Sequence, residues 1–313
     1  MESITLKVKK SKIKKNKIKP YLKWVGGKTQ ILEKVLNKFP KKIENYHEIF
    51  LGGGSVLFGL LNKINNNVIT LNGKIYAYDI NKALIYTYKN IQNNHIELFE
   101  NIQKIIKEYD SCKFIEINRK AKTIDEAKTS KESYYYWLRT QYNNLEDKTS
   151  IQASTLFIIL NKLCFRGVYR EGPNGFNVPY GHYKKTPIIF TLQNIKDIQK
   201  LIKNVVFIHS DFKDSIKNVK ENDFMYLDPP YVKENKKSFV SYVKNGFSNN
   251  FHTTLFKLLQ ENKKKFILSN SNSEYVRINF PKEYYNVEEI SCKRSINSKN
   301  PGSKTKEVLI SNF

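Results

Sequence analysis

The stretch that most constrains the fold is Phe224-Met225-Tyr226-Leu227-Asp228-Pro229-Pro230-Tyr231. Four apolar residues follow the polar Asp223, and a carboxylate, two prolines and an aromatic end the run. A short apolar run between breakers reads as a strand buried on both faces, the kind that α/β sheets use. The prolines stop it, since neither can donate to a strand ladder or enter a helix interior. Asp228 is therefore expected at the carboxyl end of a strand, where open α/β sheets hold their ligands.

A carboxylate beside rigid backbone suits one kind of chemistry. An exocyclic amine such as adenine N6 is a poor nucleophile, because its lone pair is delocalised into the ring. Asp228 and the Pro229 carbonyl can accept hydrogen bonds from its two N–H groups, freeing the lone pair to attack an electrophilic methyl group. Pro229 and Pro230 fix the direction of that carbonyl. Tyr231 offers a ring on which a base taken out of a duplex can stack. The competing reading is a strand followed by an ordinary polar turn with Asp228 solvated, and these residues alone do not separate the two.

Composition narrows the partner. A length of 313 residues admits one large domain or two. The formal net charge is +25. Lysine and asparagine enrichment also follows from AT-rich coding DNA, but an excess of this size predicts a polyanionic partner, nucleic acid above all. No apolar run approaches the ~18 residues of a membrane span, and no apolar leader segment opens the sequence. A soluble, cytoplasmic, DNA-associated protein without a membrane partner is expected. Cys112, Cys164 and Cys292 are widely spaced and odd in number, which argues for neither a disulfide framework nor a zinc site, and no metal is expected. Eight lysines within residues 1–19 read as a flexible basic arm, for sequence-blind phosphate contact or for solubility alone.

Two glycine turns precede the DPPY stretch. Gly26-Gly27-Lys28-Thr29 lacks the first glycine of a phosphate loop, and no clear strand leads into it. Helical spacing from Ile31 to Phe39 puts it at a helix entrance, where backbone N–H groups favour an anion such as a carboxylate. Glu48 to Leu51, Gly52-Gly53-Gly54 and the apolar 56–61 run read as strand, turn and helix, the arrangement that cradles nucleotides. A second strand, Ile75 to Tyr78, ends in Asp79, about 25 residues past the glycines, where an acid accepts ribose hydroxyls. Dinucleotide binding competes, but the glycines are not spaced G-x-G-x-x-G. S-adenosylmethionine also carries adenine, ribose and a carboxylate, and the last could be met near Gly26 and Lys28.

Further along, residues 83–140 have helical spacing, and Tyr134 to Trp137 read as core. Arginines, aromatics and tight turns alternate from Phe165 to Gly181, with a hairpin expected at Pro173-Asn174-Gly175. Such a hairpin can enter a DNA groove, or be an ordinary surface feature. Val205 to His209 reads as a strand followed by Asp211 and by Phe212, which could cover an adenine ring. Residues 232–250 read as a loop that closes over a base, and 293–306 as a basic loop. Strands are expected at Phe266–Ser271 and Val308–Ile310.

Together these motifs resemble the Dam-like, GATC-modifying N6-adenine DNA methyltransferases (α group, D12 class). The matching stretches are KWVGGK at 23–28, FLGGGS at 50–55, FRGVYR at 165–170, FNVPYG at 176–181, DPPY at 228–231 and LSNS at 268–271. They follow the family's order from about residue 20 onward. The resemblance implies an α/β fold with a Rossmann-like S-adenosylmethionine-dependent methyltransferase sheet, its last strand antiparallel, over residues 20–90 and 193–313. It implies an inserted, mainly helical target-recognition domain carrying a β-hairpin over 91–192.

The cofactor it implies is S-adenosylmethionine. Trp24, Gly26, Gly27, Lys28, Phe50, Gly52 and Gly54 would line its site, with Asp79 on the ribose, Asp211 and Phe212 near its adenine, and Asp228 within reach. Asp228, Pro229, Pro230 and Tyr231 would serve the target adenine. On double-stranded DNA, Lys23 and Arg170 match guanine-reading positions, Pro179 a base contact and Phe165 a wedge, with Arg166, Tyr169 and Asn177 beside them. The family usually has asparagine where this chain has Arg166, so base contacts there are expected to differ. A separately acting cognate restriction endonuclease is a partner the resemblance admits.

Other classes fit less well. C5-cytosine enzymes need a nucleophilic cysteine after a proline, and none of the three cysteines follows one. Enzymes acting on cytosine N4, or on RNA or protein amines, usually have serine or asparagine in place of Asp228. A non-enzymatic basic DNA-binding protein explains the charge, but has no need of Gly52–Gly54, Asp79 and Asp228 together.

Overall fold

The computed structural model describes residues 18–232, 249–293 and 304–313. The basic arm, the expected closing loop and most of the basic loop near the C-terminus lie outside the described residues. Seven strands form the main sheet: β1 (Tyr46–Glu48), β2 (Ile75–Asp79), β3 (Val205–His209), β4 (Phe224–Leu227), β5 (Lys265–Ser271), β6 (Asn286–Lys293) and β7 (Lys304–Ser311). Their order is β6-β7-β5-β4-β1-β2-β3. Strands β1 to β5 pair in parallel, and β7 runs antiparallel to both β5 and β6. The antiparallel last strand is as expected. All four residues of β4 are buried, which is why its sequence is uniformly apolar rather than alternating.

The chain leaves β1 toward β2 and β3, then returns to lay β4 and β5 on the other side of β1. The order therefore reverses between β1 and β4, and the crevice beyond their carboxyl ends is the switch point of the sheet. Gly52–Gly54 follows β1 and Asp228–Tyr231 follows β4, so the topology alone brings the two motifs together.

Helices α1 (Leu32–Asn37), α2 (Ser55–Asn65), α3 (Lys82–Ser111), α4 (Lys131–Asn144), α5 (Ile151–Leu163) and α6 (Leu192–Ile202) surround one face. Asn81, Ser130, Ser150 and Thr191 cap α3 to α6 by accepting a backbone N–H, each worth about 1 kcal/mol. The segment between β2 and β3 is mainly helical and contains the hairpin, with Glu171 paired to Phe176 and Gly172 to Gly175. The expected boundary near residue 91 falls inside α3, whose regularity breaks at Asn94 (φ −134°, ψ 31°). Leu57 and Tyr88 near the sheet share one apolar core with Tyr134, Tyr135 and Leu156 of this segment. The Tyr135 hydroxyl donates to the Val178 carbonyl at 2.7 Å, tying α4 to the chain after the hairpin. The other face of the sheet is covered by α7 (Phe212–Lys217) and α8 (Asn249–Glu261) around Met225, Phe256 and Phe266.

Candidate active site at the switch point

Asp228 leaves the end of β4 into a contact with Lys28: Nζ lies 2.7 Å from Oδ2. Lys28 is almost fully buried, and its ammonium also donates to the Gly26 carbonyl at 2.7 Å and lies 4.9 Å from the Tyr231 ring centroid. Its backbone N–H donates to Ser55 Oγ (3.0 Å), so the 26–29 turn is fastened to the start of α2. Burial raises the Asp228 carboxyl to about 6, against the pull of Lys28. Asp228 is thus ionised at neutral pH because Lys28 is there. Pro229 is buried, and among the described residues nothing donates to its carbonyl. The next carbonyl, of Pro230, accepts from His252 Nε2 at 2.9 Å, which pins the turn from α8.

The glycine turn has an occupant of its own. A Cβ on Gly52 would lie 2.9 Å from the Trp24 ring, and one on Gly53 would lie 2.6 Å from Trp24 Cβ. At Gly54, φ is +69° and a Cβ would meet the Tyr88 hydroxyl at 2.7 Å. These glycines therefore leave room for Trp24 and Tyr88 to pack against the turn. Asp79, at the end of β2, accepts from Gly52 N and Asn81 N, both at 2.9 Å, and holds the turn against the sheet. Asp211 caps α7 by accepting from Lys213 N at 2.9 Å. Phe212 is buried, with its ring 6.0 Å from Phe50 and 4.2 Å from Phe251. A cavity of about 500 Å³ opens between the 20–29 segment, Gly53, Ser55 and Arg166. Trp24, Gly27 and Lys23 line it, whereas Asp79, Asp211 and Asp228 lie outside its lining.

Two further acids, Glu48 and Glu307, stand near Asp228. Glu48, at the end of β1, is buried; it accepts from the Tyr46 hydroxyl at 2.8 Å, and burial pushes its carboxyl up to about 8. Glu307, on β7, accepts the Tyr231 hydroxyl at 2.8 Å. Glu48 closes the first strand before a glycine turn, a signal the sequence does carry. Glu307 has none, since only the antiparallel pairing of β7 with β5 brings it to the crevice.

The expected DNA contacts divide in two. Lys23, Phe165, Arg166, Arg170, Asn177 and Pro179 are exposed. Phe165 N donates to the Pro179 carbonyl (2.8 Å), and Arg170 Nε donates to Asn177 Oδ1 (2.6 Å), so this face is internally braced. Asn161 accepts from Lys23 N and donates to Lys23 O, while the Lys23 ammonium reaches the Tyr183 hydroxyl at 3.1 Å. Arg166 lies at φ +56° with its guanidinium 5.2 Å from the Phe165 ring centroid. That left-handed backbone is one asparagine tolerates better than arginine. Tyr169 is apart from this face: it is buried, and its ring stacks on Trp24 at 5.5 Å.

A crevice at the switch point of a mixed α/β sheet, lined by a DPPY carboxylate and a glycine turn, defines a group-transfer enzyme acting on a nucleotide amine. Residues 24–296 match the family model described as D12 class N6 adenine-specific DNA methyltransferase. The chain is 38% identical to the Type II methyltransferase M.MjaIII of Methanocaldococcus jannaschii, covering 95% of this chain and 99% of that one. It is 28% identical to the DNA adenine methylase of Haemophilus influenzae, covering 96% of each chain. The chain belongs to the D12 class of N6 adenine-specific DNA methyltransferases. Among the described residues no helix is long and apolar enough to cross a membrane.

Proposed function

We propose that this enzyme flips adenine out of duplex DNA, in GATC or a close relative of it, and methylates N6 by direct displacement with no covalent enzyme intermediate. The observation that carries the reading is the Lys28–Asp228 contact beside the Tyr231 ring and the Pro229 carbonyl, to which nothing donates among the described residues. Lys28 holds Oδ2 and keeps the carboxylate ionised. The Asp228 carboxylate and the Pro229 carbonyl then accept the two N6 hydrogens, which localises the nitrogen lone pair. Tyr231 stacks on the extrahelical base. Asp228 also steadies the positive charge that grows on N6, the kind of preorganised electrostatic contribution worth roughly 10²–10³ in rate.

The residues fit S-adenosylmethionine. Asp79 keeps acceptor capacity beyond its bonds to Gly52 and Asn81 and suits ribose hydroxyls, and Phe50 and Phe212 supply an apolar wall. Lys28 has a third N–H beyond those used on Gly26 and Asp228, suited to a carboxylate. When bound, the cofactor supplies the electrophilic methyl group on sulfur. The segment between β2 and β3, about 91–192, reads the sequence through Phe165, Arg166, Arg170, Asn177 and Pro179, together with Lys23 from the 20–29 segment. Tyr169 instead supports Trp24 on the cofactor side.

Single-molecule sequencing of plasmid DNA treated with the purified protein and S-adenosylmethionine tests this directly. N6-methyladenine confined to GATC is the expected result. The same mark in another context keeps the chemistry and reassigns the readers, with Arg166 first. Absence of the mark from DNA overturns the reading.

A further inference from the structure

Glu307 lies outside every stretch that carried the family resemblance, yet it touches the centre of the site. On β7 it stands opposite Ser271 of β5 and Ile290 of β6, and its Oε2 accepts the Tyr231 hydroxyl at 2.8 Å. The same ring has the Lys28 ammonium over it, 4.9 Å from the centroid, and that ammonium is bonded to Asp228. Lys28, Asp228, Tyr231 and Glu307 thus form one continuous run of contacts. A cation over the ring leaves the tyrosine free to slide and tilt, whereas a hydrogen bond from its hydroxyl fixes the far end of the side chain. A base can stack productively only on a ring whose plane is fixed beforehand.

We infer that Glu307 is a positioning residue for methyl transfer, holding the Tyr231 hydroxyl so that the ring presents one fixed face to the extrahelical adenine. The inference rests on the reading of Tyr231 as the adenine platform. Glu307 reaches the base only through that ring. Its charge is also near enough to bear on Asp228, where it opposes Lys28. Glu307→Gln separates the two effects, since an amide oxygen still accepts from the hydroxyl but carries no charge.

The test is single-turnover methylation of duplex DNA by the full chain at saturating S-adenosylmethionine, together with KM for the cofactor. Glu307→Ala is expected to lower the single-turnover rate by roughly 10- to 100-fold, the rate equivalent of a charge-assisted hydrogen bond, with cofactor KM unchanged. Glu307→Gln is expected to recover most of that loss. Tyr231→Phe removes the hydroxyl, and adding Glu307→Ala to it should cost nothing more. Losses that multiply in the double variant overturn the inference, as does a Glu307→Ala rate within about twofold of wild type. A Glu307→Gln variant as slow as Glu307→Ala, with Tyr231→Phe near wild type, also overturns it. If Glu307→Ala does not fold, Glu307→Gln with and without Tyr231→Phe decides the matter. Wild-type protein that leaves adenine unmethylated refutes the proposed function instead, independently of Glu307.

Discussion

Replacing Lys28 by methionine should move the pH dependence of catalysis rather than simply reduce it. The Lys28 ammonium sits 2.7 Å from Asp228 Oδ2 in a nearly dry environment. Asp228 titrates at about 6, well above its ordinary range, because burial outweighs even this contact. Two unit charges about 4 Å apart at an effective dielectric of ~20 interact by about 4 kcal/mol. At about 1.4 kcal/mol per pH unit that corresponds to about three units, and close pairs commonly shift a carboxyl by about 1–3. The sign is fixed: removing the cation disfavours the carboxylate, so the titration moves up. In the proposed mechanism ionised Asp228 is the form that accepts the N6 hydrogens, so wild-type kcat/KM should rise through pH 6 and level off above it.

In Lys28→Met the acidic limb should appear about one to three pH units higher, so the deficit at pH 7 shrinks markedly by pH 9. The assay is kcat/KM for tritiated methyl transfer to duplex DNA between pH 5 and 9, because this ratio reports titration in the free enzyme. Loss of a cofactor contact lowers the whole curve and leaves its shape alone, so the position of the limb carries the information. An acidic limb that stays near pH 6 in the variant refutes the claim that Lys28 sets the charge of Asp228.

Three further outcomes are expected. Glu48→Gln should remove a pH dependence of stability: burial raises the Glu48 carboxyl from its ordinary 4.5 to about 8, so wild type loses several kcal/mol as pH climbs from 4.5 through 8, whereas the glutamine variant does not, as thermal unfolding at pH 5 and 9 would show. Asp79→Asn should raise cofactor Kd by roughly tenfold, read by isothermal titration, and lower the melting temperature, because the Gly52 and Asn81 N–H groups lose a charged acceptor. Arg166→Asn should stabilise the fold by about 1 kcal/mol by relieving the φ +56° backbone, and should alter base preference next to Phe165 when methylated plasmid is sequenced.

What could be read in advance follows from where information is local. The run Phe224–Leu227 is apolar at every position because β4 is covered on both faces, and such a run announces its strand and its end. Helix starts at Asn81, Ser130 and Ser150 are written in capping residues, and the hairpin in Gly172-Pro173-Asn174-Gly175. Strand β6 escaped because it lies at the sheet edge and mixes Val287 and Ile290 with Glu288 and Glu289, so little apolar periodicity marks it. The glycine turn stands where its sequence puts it, but what packs against it is not written locally. Its Cβ positions are filled by Trp24 and Tyr88, nearly thirty and more than thirty residues away in sequence, and no local pattern records that. Glu307 and Tyr183 were invisible for the same reason: each acts by completing a contact that only tertiary pairing creates.

The three acids at the ends of β1, β2 and β4 show why position alone does not assign chemistry. Asp79 is surrounded by backbone N–H donors, which oppose the rise that burial imposes and make it a brace and an acceptor. Glu48 has two neutral donors, the Tyr46 hydroxyl and the Leu57 backbone N–H, and no ion-pair partner among the described residues, so at neutral pH it keeps its proton and adds no charge beside Asp228. Asp228 alone has a buried ammonium, and so is the one of the trio that meets an incoming amine as a carboxylate held by a cation. Environments that push neighbouring carboxyl groups apart in this way mark a site where protonation states have distinct jobs. Were Glu48 also ionised, its repulsion would raise Asp228 further and leave less of it charged at neutral pH. The neutrality of Glu48 is therefore part of what keeps Asp228 competent, and the Lys28→Met and Glu48→Gln profiles should differ accordingly: one moves the activity limb, the other leaves it in place while flattening stability.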